Sequence, residues 1–229
     1  MAGMVGFDDL YRQGGAVTWQ AGKEDVVRQV VDLLMGLDAH ARVLDFGCGT
    51  GWTAPILTAT GARYLGIDPS AEGIAQAGRR FAGNPKIRFH RIEMGQSLTD
   101  ALHGAKFTHV FALDALYFVS DLEGTLGALR EALEPEGLVA SISHIYRESR
   151  VADGILDDVT RDYGTPQFLS GVQWQLLLER RGFKDVRRHR FYDRRPFNPA
   201  AFLGQPPAAI ALARELYERE GALVVTARR

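Results

Sequence analysis

Three glycines at alternate positions, Gly47, Gly49 and Gly51, mark the part of the sequence whose backbone can approach a ligand most closely. Glycine has no Cβ and adopts positive φ readily, so such a loop can turn sharply against a bound molecule. Asp68 follows seventeen residues after the last glycine. A carboxylate so placed can accept hydrogen bonds from both hydroxyls of a ribose. The loop and the acid together predict a site for a nucleoside-containing cofactor.

The spacing of the glycines separates this loop from two common nucleotide sites. The NAD-binding fingerprint is G-x-G-x-x-G, whereas these glycines form G-x-G-x-G. No P-loop lysine follows, so a phosphate cradle is not predicted. An NAD-dependent oxidoreductase is disfavoured on these grounds and is an alternative that cofactor binding decides.

The segment Val43 to Gly51 resembles the first motif of class I S-adenosylmethionine (SAM)-dependent methyltransferases, an apolar pair followed by an acid, any residue and G-x-G-x-G. In that family the glycine loop wraps the amino-acid end of the cofactor, and the acid after the second strand holds the ribose. Glu93 and Met94 match the adenine-binding position, although Asp is the commoner acid there. The resemblance implies SAM as cofactor and these core contacts: Asp45, Gly47, Cys48, Gly49, Gly51, Asp68, Pro69, Glu93, Met94 and Leu113.

Apolar runs alternate with amphipathic stretches from residue 24 onwards, which predicts right-handed crossovers and a mostly parallel sheet. With the resemblance, the expected fold is α/β: a doubly wound, mostly parallel seven-stranded sheet, helices on both faces, the last strand antiparallel. Ligands in such sheets bind outside the carboxyl ends of the strands. The predicted strand ends therefore bring these residues to one rim: Gly47 to Gly51, Asp68, Glu93, Asp114 and His144.

Asp114 and His144 are the side chains at this rim suited to moving a proton. Methyl transfer from a sulfonium needs mainly alignment and exclusion of water, and a hydroxyl acceptor wants a base nearby. The imidazole group titrates near neutrality, so His144 is predicted as general base. Asp114 is predicted to accept a proton or to orient the acceptor. A purely structural histidine and an aspartate that caps a turn are the alternatives.

Three segments of the chain are predicted to enclose the cofactor and the substrate. Residues 1–22 resemble the lids of small-molecule methyltransferases, which implies that Tyr11 and Trp19 close over the cofactor; aromatics that merely cover the core are the alternative. Residues 23–229 form a single domain, with acceptor-pocket insertions at about 145–170 and 194–221. The candidate substrate-binding residues are Tyr117, Tyr146, Tyr163 and Phe168.

Composition narrows the classes of protein. The chain has 229 residues, 46% hydrophobic content and a net charge of −1, which gives no global attraction to nucleic acid or to membranes. The single cysteine, Cys48, excludes an intrachain disulfide, and the scattered histidines show no metal-ligand spacing. We therefore expect no metal, a cytoplasmic location, and a monomer or homodimer.

The sequence thus predicts SAM-dependent methyl transfer to oxygen or nitrogen of a small molecule by in-line displacement. One alternative is a SAM-binding regulatory or partner protein without turnover. Another is an RNA or protein methyltransferase, suggested by the basic stretch from Arg180 to Arg190. Local pairing of those guanidinium groups on a solvated face is the simpler interpretation of that stretch.

Overall fold

Seven strands form one sheet in the computed structural model, which describes residues 7–12, 22–93, 96–150, 152, 165–202 and 207–229. The strands are β1 (Arg42–Phe46), β2 (Arg63–Asp68), β3 (Ile87–Arg91), β4 (Phe107–Leu113), β5 (Leu133–Ser143), β6 (Lys184–Phe191) and β7 (Ala222–Arg228). Their order is β3-β2-β1-β4-β5-β7-β6. Strand β7 runs antiparallel to both of its neighbours, whereas the pairs from β3 to β5 are parallel. The predicted fold class is confirmed.

Helices connect the strands across both faces of the sheet. They are α1 (Phe7–Arg12), α2 (Glu24–Val30), α3 (Ala54–Leu57), α4 (Ala71–Arg80), α5 (Leu98–Ala101), α6 (Leu122–Ala132), α7 (Gly171–Arg180) and α8 (Pro207–Glu215). Single π-helical turns extend α2 over Val31–Met35 and α8 over Leu216–Glu220. No helix in the described ranges has both the length and the apolar character needed to cross a bilayer.

Two apolar layers, one on each face, hold the sheet between the helices. Leu126 and Leu129 of α6 pack with Trp174 of α7 on one face. Val27 and Val30 of α2 pack on the other face. Each buried aliphatic side chain contributes about 1.5–3 kcal/mol relative to exposure. This double layer fixes the strand ends from which the site is built.

Three local predictions differ from the structure. The helix expected from about Trp52 is the single turn of α3. Asp121, not Ser120, caps α6 by accepting from the Gly124 amide at 2.9 Å, because the adjacent aspartate is an equally strong cap and α6 begins one residue later than the S-x-x-E pattern implies. Strand β5 begins before the Pro-Glu-Gly turn, which forms a bulge that shifts the register with β4.

The predicted cap of α7 is confirmed. The Ser170 hydroxyl accepts from the Gln173 amide at 3.1 Å, and the Gln173 side chain accepts from the Ser170 amide at 2.9 Å. This reciprocal pair satisfies two of the amides that a helix start leaves unbonded.

Candidate active site

The parallel pairing of β1 with β2 places the glycine loop beside Asp68. The Gly49 amide donates to one carboxylate oxygen of Asp68 at 2.8 Å, and the Ser70 amide donates to the other at 2.8 Å. The Gly47 and Cys48 amides both donate to the Ile67 carbonyl, at 2.9 and 3.1 Å. A carboxylate offers about four acceptor positions, so two remain on Asp68. Asp68 therefore fixes the loop and keeps two further acceptor positions, and its contact with a ribose stays a prediction.

Gly49 and Gly51 adopt backbone conformations that would be strained for other residues. Their φ angles are +53° and +68°. A Cβ on Gly49 would lie 2.4 Å from the Tyr11 hydroxyl, and one on Gly51 would lie 2.6 Å from the Phe89 ring. The loop is consequently packed on both sides with no space for a side chain.

Helix α1 lies across the glycine loop and the start of α4. The Asp8 carboxylate accepts from the Ser70 hydroxyl and from the Glu72 amide, the latter at 3.1 Å. The Gln76 amide group donates to the Tyr11 carbonyl at 3.1 Å. Tyr11 thus lies against the glycine loop, and closure over the cofactor by it stays a prediction. Trp19 falls outside the described residues.

Asp45 lies beneath the loop, with 1% of its surface exposed. One of its carboxylate oxygens accepts from the Thr53 hydroxyl and, at 2.7 Å, from the Tyr64 hydroxyl. Burial raises the pKa of this carboxyl to about 6, against the hydrogen bonds from Thr53 and Tyr64, which lower it. These bonds tie β1 to β2, and a direct cofactor contact by Asp45 stays a prediction.

The remaining predicted cofactor residues differ in burial: Cys48 is buried, Leu113 is half-buried and Glu93 lies at the surface. Cys48 is buried, burial raises the pKa of its thiol well above the ordinary value, and its sulfur packs against Gly66. Leu113 is half-buried at the end of β4. The Glu93 side chain is 72% exposed and lies 3.8 Å from Arg91, whose guanidinium donates to the Pro69 carbonyl. Met94 falls outside the described residues, so the adenine contacts stay predictions.

Asp114 and His144 meet at the ends of β4 and β5, as their strand positions predict. The imidazole Nδ1 lies 2.9 Å from Oδ2 of Asp114, and the His144 amide donates to Oδ1 at 2.7 Å. Asp114 has a φ of +50°, the left-handed conformation that aspartate tolerates better than most residues. This conformation turns the carboxylate back onto the neighbouring strand end.

Lys23, just before α2, completes the cluster around Asp114. Its ammonium group lies 2.7 Å from Oδ2 of Asp114. Burial alone would raise the pKa of the Asp114 carboxyl, but the charges of Lys23 and His144 and their hydrogen bonds bring it well below its ordinary value. Asp114 is therefore a carboxylate held by cationic and N–H donors, and not a proton acceptor in its own right.

The other imidazole nitrogen of His144, Nε2, is buried and has no hydrogen-bond partner among the residues that the structure describes. The edge of the imidazole ring faces Tyr217, with ring centroids 5.8 Å apart. Tyr217 is itself buried and lies against the backbone of Gly22. A buried polar atom without a partner costs about 1–3 kcal/mol, and His189 on β6 has a similar Nε2, so it is the position of His144 beside Asp114 that makes its Nε2 a candidate for the site.

Aromatic rings from three segments adjoin this cluster. Tyr117 packs against Phe118 and Phe168, with centroids 4.6 and 5.3 Å apart, and Phe118 packs against Phe7 of α1 at 5.2 Å. Tyr117 and Phe168 are thus in contact, and substrate binding by them stays a prediction. Tyr163 falls outside the described residues. The rings form one apolar wall that runs from the Asp114 turn to the lid helix.

Tyr146 lies away from that wall. It is fully buried, its hydroxyl donates to the Glu220 carbonyl at 3.0 Å, and the Arg190 guanidinium stacks 4.3 Å from its ring. Its contacts therefore join β5 to β6 and to the turn after α8. These contacts stabilise the fold, and substrate contact by Tyr146 stays a prediction.

Sequence patterns missed three participants: Asp8, Lys23 and Tyr217. Each lies outside the strand ends that guided the search, and none belongs to a motif. The order of the segments alone gives no signal for them, because each reaches the site by tertiary packing. The segment from residue 194 to residue 221, whose role the sequence left open, contributes Tyr217.

The basic stretch and the scattered histidines show no separate site. Arg180 lies 3.2 Å from Glu123, and Arg190 donates to the Tyr146 hydroxyl and to the Glu220 carbonyl. In the described ranges, no group of three or more His, Cys, Asp or Glu side chains is arranged to hold a metal ion. Arg180 is therefore paired with a carboxylate, and Arg190 is held by neutral oxygen atoms.

Comparison with known proteins identifies the wider group to which this arrangement is related. The family described as "Methyltransferase domain" matches residues 19–188. Juvenile hormone acid O-methyltransferase of Drosophila melanogaster is 30% identical over 106 residues, 44% of this chain and 35% of that protein. A SAM-dependent Diels-Alderase of Talaromyces variabilis is 26% identical over 174 residues, 70% of this chain and 60% of that protein.

The sequence matches cover only part of most relatives, whereas one solved structure superimposes over nearly its full length. In seven curated relatives the matched segment spans between 4% and 46% of the relative's own length. A putative methyltransferase of Haloferax volcanii, solved in complex with the Trm112 methyltransferase activator, superimposes with a TM-score of 0.74 at 19% identity. That superposition covers 97% of this chain and 96% of the other, so it supports the fold over its full length.

Proposed function

The chain belongs to the class I SAM-dependent methyltransferases, and from that premise we propose that it transfers the methyl group of SAM to an oxygen or nitrogen atom of a small molecule. Bound SAM supplies a methyl group on a sulfonium, which is open to in-line attack. What the chain itself must do is hold the cofactor, align the acceptor, exclude water and remove a proton.

The observation that carries the proposal is the buried Asp114–His144 pair with its unbonded Nε2, at the same sheet edge as the glycine loop. A hydroxyl acceptor would form its O–CH3 bond as the methyl carbon's bond to the sulfonium sulfur breaks and the neutral thioether of S-adenosylhomocysteine leaves. Nε2 of His144 would take the O–H proton. The resulting imidazolium keeps its Nδ1–H hydrogen bond to Asp114, whose negative charge stabilises it. For an amine acceptor, the same nitrogen takes the proton that the amine must lose.

A small, largely apolar acceptor suits the surroundings of this base. Tyr117, Phe118, Phe168 and Phe7 present ring faces and edges, and such rings favour flat or apolar molecules. An O-methyltransferase among the relatives supports oxygen as the methylated atom. We therefore favour a hydroxyl-bearing aromatic or apolar molecule within the proposed class of acceptors.

The domain division is also part of the proposal. Residues 1–22 act as a lid, of which α1 is the described portion, and residues 23–229 form the catalytic domain. The insertions at about 145–170 and 194–221 supply the acceptor side, with Phe168 and Tyr217 as their described contributions. Tyr11 and the glycine loop enclose the cofactor between the two parts.

The direct test is transfer of a labelled methyl group from SAM to a panel of phenols, aliphatic alcohols, carboxylic acids and amines. We expect a labelled product from at least one hydroxyl compound, identified by mass spectrometry, and no product from the Asp68→Ala variant at low SAM concentration. Tight binding of S-adenosylhomocysteine (SAH) with no labelled product from any compound would contradict the proposed activity.

A second candidate, cyclisation of a bound substrate without methyl transfer, is supported by the Diels-Alderase relative, which aligns with 70% of this chain. Such an enzyme binds SAM but does not consume it. Polyene substrates incubated with the protein and SAH distinguish it, because a cyclised product would form there without any methyl donor.

The affinity for SAH is expected to fall as the pH is lowered from 7 to 5. Burial raises the pKa of Asp68 to about 6, although hydrogen bonds from the Ser70 and Gly49 amides lower it. Ribose hydroxyls donate to the ionised carboxylate, so binding favours that form. Affinity is therefore lost as the pH falls through 6, by up to about tenfold per pH unit. Titration calorimetry between pH 5 and pH 7 measures this dependence.

Asp45 has to be separated from Asp68 in that experiment, because burial raises the pKa of Asp45 to about 6 as well. Asp68→Asn should flatten the dependence on pH, and Asp45→Asn should retain it. A dependence that survives Asp68→Asn and disappears in Asp45→Asn would assign the effect to the wrong carboxyl and contradict the ribose contact.

Asp8→Ala is expected to speed the release of SAH. The Asp8 carboxylate joins α1 to α4 through Ser70 and Glu72, and its pKa is lowered by those hydrogen bonds, the Ser70 bond first. Loss of a partly exposed charged hydrogen bond of this kind predicts about 3- to 10-fold faster dissociation. Stopped-flow displacement of SAH gives the rate.

Asp9→Ala is the matched control, since Asp9 lies on the same helix and pairs with Arg12 on the exposed face. It should release SAH at the wild-type rate. Equal release rates for Asp8→Ala and the wild type would remove the support for α1 as a lid.

A further inference from the structure

Lys23 occupies an unusual position for a lysine, with only 15% of its side chain exposed. Its ammonium group lies 2.7 Å from Oδ2 of Asp114, and Nδ1 of His144 lies 2.9 Å from the same oxygen. The Asp114 and His144 side chains are 9% and 2% exposed. The ammonium group of Lys23 and the imidazole of His144 therefore share one oxygen atom of Asp114, in an interior largely shielded from water.

The shared oxygen determines which nitrogen of His144 carries its proton. Oδ2 belongs to a carboxylate that accepts from Lys23, so its contact with Nδ1 is a hydrogen bond only if Nδ1 bears the hydrogen. In the neutral imidazole, Nε2 then holds the lone pair. The His144 amide bond to Oδ1 fixes the carboxylate plane, so the imidazole ring is held in one orientation.

The charge of Lys23 acts against protonation of this imidazole. Lys23 and Asp114 together are neutral, so an imidazolium would add a second positive charge about 6 Å or less from the ammonium group. Without Lys23, the Asp114 carboxylate would face His144 alone and would favour the imidazolium, whose Nε2 cannot accept a proton. Lys23 therefore opposes a further positive charge on His144 through the carboxylate that the two groups share.

The other titratable groups that face the cluster leave this balance unchanged. Burial raises the pKa of Tyr117 and of Tyr217 well above the ordinary value, so both phenols are neutral. Asp193 acts on Tyr217, and Glu220 lies against Tyr146 and Arg190. Among the described residues around Asp114, Lys23 supplies the positive side-chain charge in contact with it.

We propose that Lys23 is a positioning residue for the reaction, which holds the Asp114 carboxylate and, through it, the imidazole of His144 with its proton on Nδ1, so that Nε2 is left to accept the substrate proton. This inference rests on the proposed role of His144 as base. Lys23 directly follows the lid segment, and Gly22 packs on Tyr217, so the placement of the lysine depends on how the N-terminal segment docks.

Nitrogen-15 NMR of the imidazole rings tests the inference without any acceptor. The full-length protein is labelled at histidine, and the His144 signals are assigned from their loss in His144→Gln. At pH 7 we expect Nδ1 protonated and Nε2 unprotonated in the wild type. A wild-type His144 that is an imidazolium at pH 7, or that carries its proton on Nε2, would overturn the inference.

Two variants then isolate the charge. Lys23→Met should move the His144 titration to higher pH, because it removes the positive charge beside Asp114, whereas Lys23→Arg, which keeps the charge, should leave it near the wild-type position. The rising limb of the pH–rate profile should move in the same direction in Lys23→Met. Loss of activity in Lys23→Met with neither the titration nor the limb displaced would mean a merely structural lysine.

The result also separates this inference from the proposed function. A displaced His144 titration with no methyl transfer by the wild type would support the role of Lys23 in holding His144 and reject the methyltransferase activity. Methyl transfer by the wild type with an undisplaced titration in Lys23→Met would keep the activity and reject the role of Lys23.

Discussion

His144→Gln is expected to lower the rate constant of methyl transfer by about 10²- to 10⁴-fold, the usual contribution of a positioned general base. Glutamine approximates the volume of histidine and keeps an amide that can donate to Asp114, but it offers no nitrogen that accepts a proton. The affinity for SAH should change little, because the cofactor loop lies on β1 and β2 and His144 lies at the end of β5.

The measurement is the single-turnover rate with the hydroxyl acceptor found in the screen, together with calorimetry of SAH. His189→Gln is the matched control, because His189 on β6 also has a buried Nε2 without a partner among the described residues and lies on the edge strand of the sheet. It should retain the wild-type rate. Normal turnover in His144→Gln, in a variant that melts as the wild type does, would show that the reaction proceeds without this base.

Asp68→Ala is expected to weaken SAH binding by about 1–3 kcal/mol, or roughly 5- to 150-fold. The change removes the acceptor of two ligand hydroxyls, and it also leaves the buried Gly49 amide without its 2.8 Å partner. Both losses fall on the ligand side of the loop. Asp68→Asn, which keeps one acceptor oxygen, should lie between the wild type and the alanine variant.

Asp121→Ala is the matched control for this variant, since Asp121 accepts a backbone amide in a similar way at the start of α6, away from the loop. It should lower the melting temperature and leave SAH affinity unchanged. An Asp68→Ala protein that folds and binds SAH with wild-type affinity would remove Asp68 from the ribose site.

The cofactor side of the site was predictable because its parts are close in sequence and are positioned by sheet geometry. Gly49 and Asp68 belong to consecutive strand ends of a parallel pair, and parallel strands end at one edge. Asp114 and His144 follow adjacent strands by the same rule. Strand periodicity, together with the fold that the resemblance implies, was therefore enough to bring these four residues together.

The acceptor side was less predictable because its members arrive by packing between segments far apart in sequence. Lys23 and Tyr217 meet near Asp114 only because Gly22 fits against the Tyr217 ring and Tyr217 packs with Ala213 and Leu216. A 3.6-residue apolar periodicity predicts that α8 is a helix, but it does not predict which part of the molecule the apolar face packs against. The choice of Asp121 over Ser120 as a cap is likewise decided by backbone angles.

Tyr217 and the aromatic wall have a consequence for how such an enzyme can diversify. The proposed ribose-binding acid and its loop are built into the central sheet, where a change disturbs the whole molecule, whereas Phe7, Phe168 and Tyr217 near the proposed base lie on segments outside the strands. Exchange of residues 194–221 between paralogues would thus alter acceptor preference while SAM affinity is inherited unchanged. Selection for new substrates and selection for stable folding then act on separate parts of the chain.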